Sequence, residues 1–286
     1  MTDTVEICIL ANRKGREFLP FSGMINIPLL PLLGKPLLQH LIEMIAANAP
    51  ANITVLIPAG DREVAAVAMQ KCWHGVKIVA RDDFCQIGTS SALMIRADVF
   101  PDATAISNAI AKIRKDGTAA NIQPRADFWP VSRTRSAKED AAASEQRFAP
   151  DLLLRNVLGY FRVHMAAEEG RFPALMPEGW IDDDGIRAGI GCKILTRRAP
   201  GTKVSIGNGA FVDEHVQLGD FVAIGKGAYV GRSAWISNSI LLANSYVPPG
   251  IGVHNSVVCG TWCFNVKTGS IADLKLPSTS QRKRVA

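Results

Sequence analysis

The chain has 286 residues, 48% of them hydrophobic and 20% charged, and its formal net charge is +6. That composition supplies apolar side chains for two separate cores and excludes collagen-like, disulfide-stapled and intrinsically disordered classes. The basic residues are scattered, and the densest cluster, Arg282-Lys283-Arg284, has no interleaved aromatics on which bases would stack, so nucleic acid is not an expected partner.

Met1 to Glu6 lacks the basic start and apolar run of a secretory signal. Val5 to Leu10 is a short apolar run that reads as a buried strand entering a loop at Gly15. Phe18 to Leu33 is the most apolar stretch, but Pro20, Pro28 and Pro31 interrupt it and it is shorter than the ~20 residues of a membrane helix, so no membrane span is expected. From Pro36 to Ala47, the spacing of Leu37, Leu38, Leu41, Ile42 and Ile45 predicts a helix, with Pro36 suited to its first turn. Strands are predicted at 53–58, 76–80 and 92–98, with a helix at 62–72 between the first two. This alternation implies βαβ units and a parallel sheet covered on both faces. A further helix is predicted at 104–115, and the polar, aliphatic-poor segment 132–150 reads as a mobile loop. Leu152 to Met165 returns to a helical pattern. Asp182-Asp183-Asp184-Gly185 is an acidic turn whose neighbouring carboxylates point different ways, which favours solvation over cation binding.

From about Ile190 to Val266 the pattern changes. Ile206, Val212, Leu218, Ile224, Val230, Ile236 and Leu242 stand six residues apart, each followed four residues later by a second row: Ala210, Val216, Val222, Ala228, Ala234, Ile240 and Tyr246. Neither a helix nor an ordinary strand needs a strict six; a coil of three short strands and three corners does. Gly207-Asn208-Gly209 and Gly225-Lys226-Gly227 suit corners with left-handed backbone. The step from Leu242 to Val247 is five, after which Val253 resumes the row and Cys259 takes the next slot. About three coils are expected, with ends and a flat face left to be covered by the rest of the chain or by other subunits. The six cysteines (Cys8, Cys72, Cys85, Cys192, Cys259, Cys263) follow neither a disulfide nor a zinc spacing, which fits a reduced cytoplasmic protein. The expected organisation is an α/β domain at 1–185, a parallel β-helix at 186–270 and a basic tail at 271–286.

The loop after the first strand of a parallel sheet lies at the strands' carboxyl ends, where nucleotides bind. Here it reads Leu10-Ala11-Asn12-Arg13-Lys14-Gly15-Arg16-Glu17-Phe18-Leu19-Pro20, and Asn26-Ile27-Pro28 to Pro31-Leu32-Leu33-Gly34-Lys35-Pro36-Leu37-Leu38 follows. Together with the hexapeptide coil, these residues resemble the sugar-1-phosphate nucleotidyltransferases. That family opens L-A-A-G-x-G-T-R-L-x-P-L-T, then P-K-P-L-L-P-V-x-G-K-P-L-L, and many of its members carry such a coil at the C-terminus. The resemblance covers both ends of the chain and is weak from about 100 to 190. It implies a Rossmann-like nucleotidyltransferase domain followed by a left-handed β-helix; the domain is trimmed, because Gly88-Thr89-Ser90-Ser91-Ala92-Leu93, which looks like the family's G-T-A-x-A-L stretch, lies too close to Asp98 for the usual intervening helix. It also implies Mg²⁺ as cofactor, a nucleotide or sugar phosphate as ligand, and a homo-oligomer built through the coil. Carried over, it gives Lys14 and, with the register shifted by one residue, Arg16 as catalytic cations, Leu10, Ala11, Asn12, Arg13, Gly15 and Gly88 as the nucleotide-binding set, and Asp98 as metal ligand. Asp98 serves equally well as a strand-end cap, and Asp151 or Asn156 are candidates for a second metal ligand.

The chain departs from the family where the chemistry lies. Arg13 replaces the first loop glycine, Arg16-Glu17 the Thr-Arg pair and Asn26-Ile27 the Pro-Lys pair. An anion in place of a cation beside a triphosphate repels where neutralisation is needed. Three readings follow. One is a nucleotidyltransferase-like protein of sugar-nucleotide or cell-surface polysaccharide metabolism, with a degraded site and a regulatory or scaffolding role. The second is an active Mg²⁺-dependent nucleotidyltransferase using Lys14, Arg16 and Asp98. The third is a hexapeptide acyltransferase using His215 or His254 as general base. His40, His74 and His164 have no obvious partner in the sequence.

Overall fold

The computed structural model describes residues 6–11, 18, 20–21, 23–48, 53–57, 60–69, 78–81, 92–96, 103–116, 120–122, 144–145, 154, 156–181, 185–196 and 202–275. They form two compact units. One takes the first strand, the turn at 26–29 and the elements from 36 to 155; the other takes the described residues of 18–25 and 30–35 and everything from Asn156 onward.

Along the chain, β1 (Glu6–Leu10) of the first unit is followed by the short strands β2 (Pro31–Leu32) and β3 (Lys35–Pro36), which pair with each other. Leu33 and Gly34 between them both have positive φ, the two-residue turn that matches strand twist. The first unit then continues with α1 (Leu37–Asn48), β4 (Ile53–Leu56), α2 (Arg62–Met69), β5 (Ile78–Arg81), β6 (Ala92–Arg96), α3 (Ala103–Asp116), β7 (Ala120–Ile122) and β8 (Ser144–Glu145). Its sheet runs β5-β4-β1-β6-β7-β8 with every pair parallel. Counted within the sheet this is 3-2-1-4-5-6, an order that reverses direction between β1 and β6. Ile7 to Leu10 and Ile53 to Leu56 are all buried, so successive residues on both faces of these strands are covered. The stripe Leu37, Leu38, Leu41, Ile42, Ile45 is the buried face of α1, which packs against α2 and α3.

Two strands differ from expectation. No apolar pattern predicts β7, and Ser144–Glu145 of the polar segment read as a loop pairs with it as β8. Asn121, Ser144 and Glu145 take their conformation from pairing at the edge of the sheet. The acidic turn at 182–184 lies outside the described residues.

The second unit includes α4 (Val157–Glu168), which starts later than its apolar pattern suggests because Asn156 caps it: the Asn156 side chain accepts from the Gly159 amide at 2.7 Å. At the other end Gly170 has φ +80°, its amide donates to the Ala167 carbonyl, and Arg171 donates to Ala166. This paired closure leaves the last carbonyls of the helix satisfied.

A solenoid follows, made of β9 (Trp180–Ile181), β10 (Arg187–Ala188), β11 (Lys193–Ile194), β12 (Val204–Ile206), β13 (Phe211–Val212), β14 (Gln217–Leu218), β15 (Val222–Ile224), β16 (Tyr229–Val230), β17 (Trp235–Leu241), β18 (Tyr246–Val247), β19 (Gly252–Cys259), β20 (Trp262–Asn265) and β21 (Ile271–Asp273). Arg187, Ser205, Ala223, Ile240 and Val257 are successive register partners on one face, which defines about 4 turns instead of three. The first two turns take 18 residues each and the next two take 17. A second face stacks β11, β13, β16 and β18. The third stacks β14 on the first halves of β17 and β19. Antiparallel strands close both ends of the first face: β9 lies on β10, and β20 and β21 follow β19.

Ile206 through Ile236 point into the core as the six-residue period requires. Beyond Ile236 the inward row is not the one read from the sequence. Ile224 pairs with Leu241, so the five-residue step falls between Ile236 and Leu241, and a second lies between Val253 and Val258. Leu241 and Val258 therefore fill the slots assigned to Leu242 and Cys259. In the second row Ser239 and Ser245 sit inward in place of the expected Ile240 and Tyr246. The lost residue is taken from one corner, where Asn238 and Asn255 hold positive φ. There Ser239 Oγ donates to the Ser237 carbonyl at 2.7 Å and accepts the Ser256 amide at 3.1 Å, while Ser256 Oγ and the Asn265 side-chain amide both donate to the His254 carbonyl. Backbone groups exposed by the tighter corner are thus satisfied by a buried polar ladder.

Candidate functional site

Two regions bear on function. The first is the carboxyl edge of the parallel sheet. β1 and β6 flank the point where strand order reverses, and Leu10 and Arg96 are register partners at their ends, so the chain leaves both strands at the same edge. Crevices of this kind receive ligands in doubly wound sheets. Leu10 and Ala11 are both buried, and the Ala11 amide extends the ladder to the Leu56 carbonyl at 2.8 Å. Leu10 and Ala11 both belong to the set expected to bind nucleotide. Asn12, Arg13, Lys14, Gly15, Arg16, Gly88, Asp98 and Asp151 lie outside the described residues.

The pair standing where the nucleotidyltransferases carry Pro-Lys is built into the first unit. Ile27 is 2% exposed in a 3-10 turn, Ile27–Leu29, that packs against α1 and α2. Asn26 Nδ2 donates to Asp61 Oδ2 at 2.6 Å, and the other oxygen of Asp61 caps α2 at the Val64 amide. No local pattern signals this tether, since its ends are 35 residues apart. Asn156, a candidate metal ligand on the resemblance, spends its oxygen on the helix cap. Among the described residues no three His, Cys, Asp or Glu side chains converge as a metal site would require.

The second region is where α4 meets the first face of the solenoid. Glu168, 10% exposed, accepts the Ser205 hydroxyl at 3.0 Å, faces Arg187 Nη1 at 3.5 Å and lies 3.7 Å from His164 Nε2. Lys203 Nζ donates to the Glu168 carbonyl at 3.1 Å. His164 is 2% exposed, with Tyr160 edge-on to its ring at 5.7 Å, and neither ring nitrogen makes a hydrogen bond. Burial lowers its pKa; the nearby Glu168 carboxylate and Pro31 carbonyl pull the other way, less strongly. Sequence reading misses this cluster because its members span Glu168 to Ser205. Only the Glu168 spacing, four residues after His164, could flag it.

His164 makes folding pH-dependent, with the following sign. A histidine kept neutral in the folded state binds its proton more readily when unfolded, so stability rises with pH and is lost as pH falls through the unfolded value near 6.5. Urea unfolding between pH 7.5 and 5.5 is expected to show stability falling as pH falls, by at most about 1.4 kcal/mol per pH unit from this proton. His164→Phe should flatten that dependence; an unchanged slope would assign it to other groups.

The coil histidines differ from each other. His215 is exposed at φ +60° and occupies a corner beside Ser233 and Gly250 of the following turns, a backbone role. His254 lies half-buried with Nδ1 2.8 Å from Ser237 Oγ and Trp235 edge-on at 4.2 Å. Burial lowers its pKa, which keeps the ring neutral at pH 7. The solenoid surface is aromatic along its second face, where Phe211, Tyr229 and Tyr246 stack at 5.2 and 5.3 Å with Lys193 over the Phe211 ring. The facing rings of each stacked pair are turned to one another.

No helix among the described residues is long and apolar enough to cross a membrane. Neither a protein-family model nor a curated protein matches the chain.

Proposed function

We propose that this chain is a nucleotidyltransferase-like protein of sugar-nucleotide or cell-surface polysaccharide metabolism in which the transfer site is degraded and the solenoid acts as a regulatory or scaffolding surface. The observation that carries the reading is Ile27. At the position where the resembling family holds a cation for the phosphates, this chain has a buried aliphatic residue packed between helices. A lysine there would have to abandon the core to reach a ligand, and the neighbouring Asn26 is tied to Asp61. Without that cation, and with Glu17 following Arg16, developing charge on a departing pyrophosphate meets weaker neutralisation.

The strand order supports the other half of the reading. The loops that carry Lys14 and Arg16, and Asp98, follow two strands that are adjacent at the switch point. A nucleotide held there would have Gly15 for close backbone approach, Lys14 and Arg16 for its phosphates, and Asp98 as ligand for an accompanying Mg²⁺. The long parallel coil, taken as left-handed on the resemblance, supplies the assembly surface for a homo-oligomer.

Equilibrium dialysis with nucleoside triphosphates and Mg²⁺, run beside an assay of pyrophosphate release in the presence of several sugar 1-phosphates, tests both halves. Saturable nucleotide binding without steady release is the expected result. Steady release that is abolished by Asp98→Ala would overturn the scaffold reading in favour of an active enzyme.

A further inference from the structure

A cleft of about 180 Å³ opens beside the Glu168 cluster, between the end of α4, the segment 170–177 and β10. Leu33, Phe172, Leu175 and Pro177 give it apolar walls, and Glu168 and Arg187 are its charged residues. The walls are fixed by backbone bonds: Leu175 to Phe172, Arg171 to Ala166 and Glu178 to Leu33, each at 3.0 Å. A preformed apolar cleft with a few convergent polar groups has the general form of a small-molecule site.

The charges narrow the ligand. Nη1 of Arg187 and Oε2 of Glu168 stand 3.5 Å apart, beyond the roughly 2.7–2.9 Å of a closed charge-assisted bond. A guanidinium has five donors, and among the described residues Arg187 meets no acceptor except Glu168. Oε1 of Glu168 is engaged by Ser205, while Oε2 meets Arg187 alone. With side chains 25% and 10% exposed, the two charges are largely removed from water yet incompletely paired, an unfavourable state that a ligand can relieve. A simple anion at Arg187 would face the Glu168 carboxylate, and a simple cation at Glu168 would face the guanidinium. A ligand bearing both charges on adjacent atoms meets each with its opposite.

Size sets the rest. A cavity of about 150 Å³ holds one benzene, so this cleft takes up about seven or eight non-hydrogen atoms. We propose that the cleft binds a small apolar α-amino acid, of valine or proline size, with its carboxylate on Arg187, its ammonium on Glu168 and its side chain against Phe172, Leu175 and Pro177. All of the cleft's lining residues belong to the second unit, and the proposal does not rest on the nucleotidyltransferase reading.

Calorimetric titration of the full chain with L-valine and L-proline, with 3-methylbutanoate and isobutylamine as analogues lacking one charge each, tests this directly. Saturable binding of an amino acid, at least ten-fold tighter than either analogue and lost in Arg187→Gln, is the expected result. The analogue comparison uses the unaltered chain and so does not depend on a variant folding. Absence of saturable amino-acid binding would overturn the proposal. So would an analogue that binds as tightly as its parent, or an Arg187→Gln chain that folds and still binds valine.

Discussion

Gly225→Ala is expected to destabilise the solenoid by about 3 kcal/mol, near the upper end of what overpacking costs. Gly189, Gly207 and Gly225 form a column in which each coil's glycine is covered by the next coil's corner. A Cβ on Gly225 would lie 2.7 Å from the Ala243 amide nitrogen, the Leu241 carbonyl oxygen and the Leu242 carbonyl carbon. These atoms belong to backbone, so no side chain can swing away, and the Gly225 amide is itself bonded to Leu241 at 2.7 Å. Relief requires the coils to part and the ladder to stretch. Gly209 supplies the control, because it has φ +66° but a Cβ added there would meet nothing within 4 Å. Gly209→Ala should therefore cost only the left-handed strain, about 1 kcal/mol. Urea unfolding followed by tryptophan emission reads the difference, since Trp235 and Trp262 lie on the solenoid strands. Equal losses in the two variants would mean that backbone conformation, and not coil contact, is what the glycine column protects.

These glycines also mark what can be read without a structure. A period of six announces the coil, and Gly207 and Gly225 announce its corners, but their role is close approach between turns instead of left-handed backbone. In the two Gly-x-Gly corners only Gly209 and Gly227 have positive φ. The row beyond Ile236 is misplaced for a simple reason. Leu241 and Leu242 are both aliphatic, and Val258 and Cys259 both suit a core, so either register satisfies hydrophobicity. Pairing of Ile224 with Leu241 decides between them, and pairing is a property of the folded coil. In the first unit the continuous apolar strands and the stripe of α1 are legible because burial alone dictates them. β7 and β8 are not, since neighbours impose them on polar residues.

The candidate sites follow the same division. Leu10 and Ala11 stand out by motif, and both are buried at the carboxyl end of β1. Glu168, Arg187 and Ser205 share no motif. They meet because β10 and β12 are stacked turns of one face and α4 is seated on it through the Glu168 carboxylate. Long-range pairing of this kind leaves no local trace, which is why the cleft lined by this charged pair escapes a reading of the sequence.

Ser239→Ala is expected to cost about 2 kcal/mol, the penalty for leaving a buried donor and acceptor unsatisfied. Ser239 is fully buried, and its hydroxyl serves two backbone groups at once, the Ser237 carbonyl and the Ser256 amide. In the preceding turn the same slot holds Val222, which packs apolar surface into the core and needs no partner. The exchange of valine for serine coincides with the turn in which one residue is lost, so the hydroxyl answers the backbone that the shorter corner uncovers. Ser233→Ala, at an exposed corner, should change stability by less than about 0.5 kcal/mol. Hydrogen exchange provides a local reading beside global unfolding: the Ser256 amide should lose protection in Ser239→Ala ahead of amides in β12 and β15. If Ser239→Ala instead matches Ser233→Ala, the ladder is incidental, and the 17-residue turns must be held by apolar stacking of Leu241, Val247, Val253 and Val258 alone.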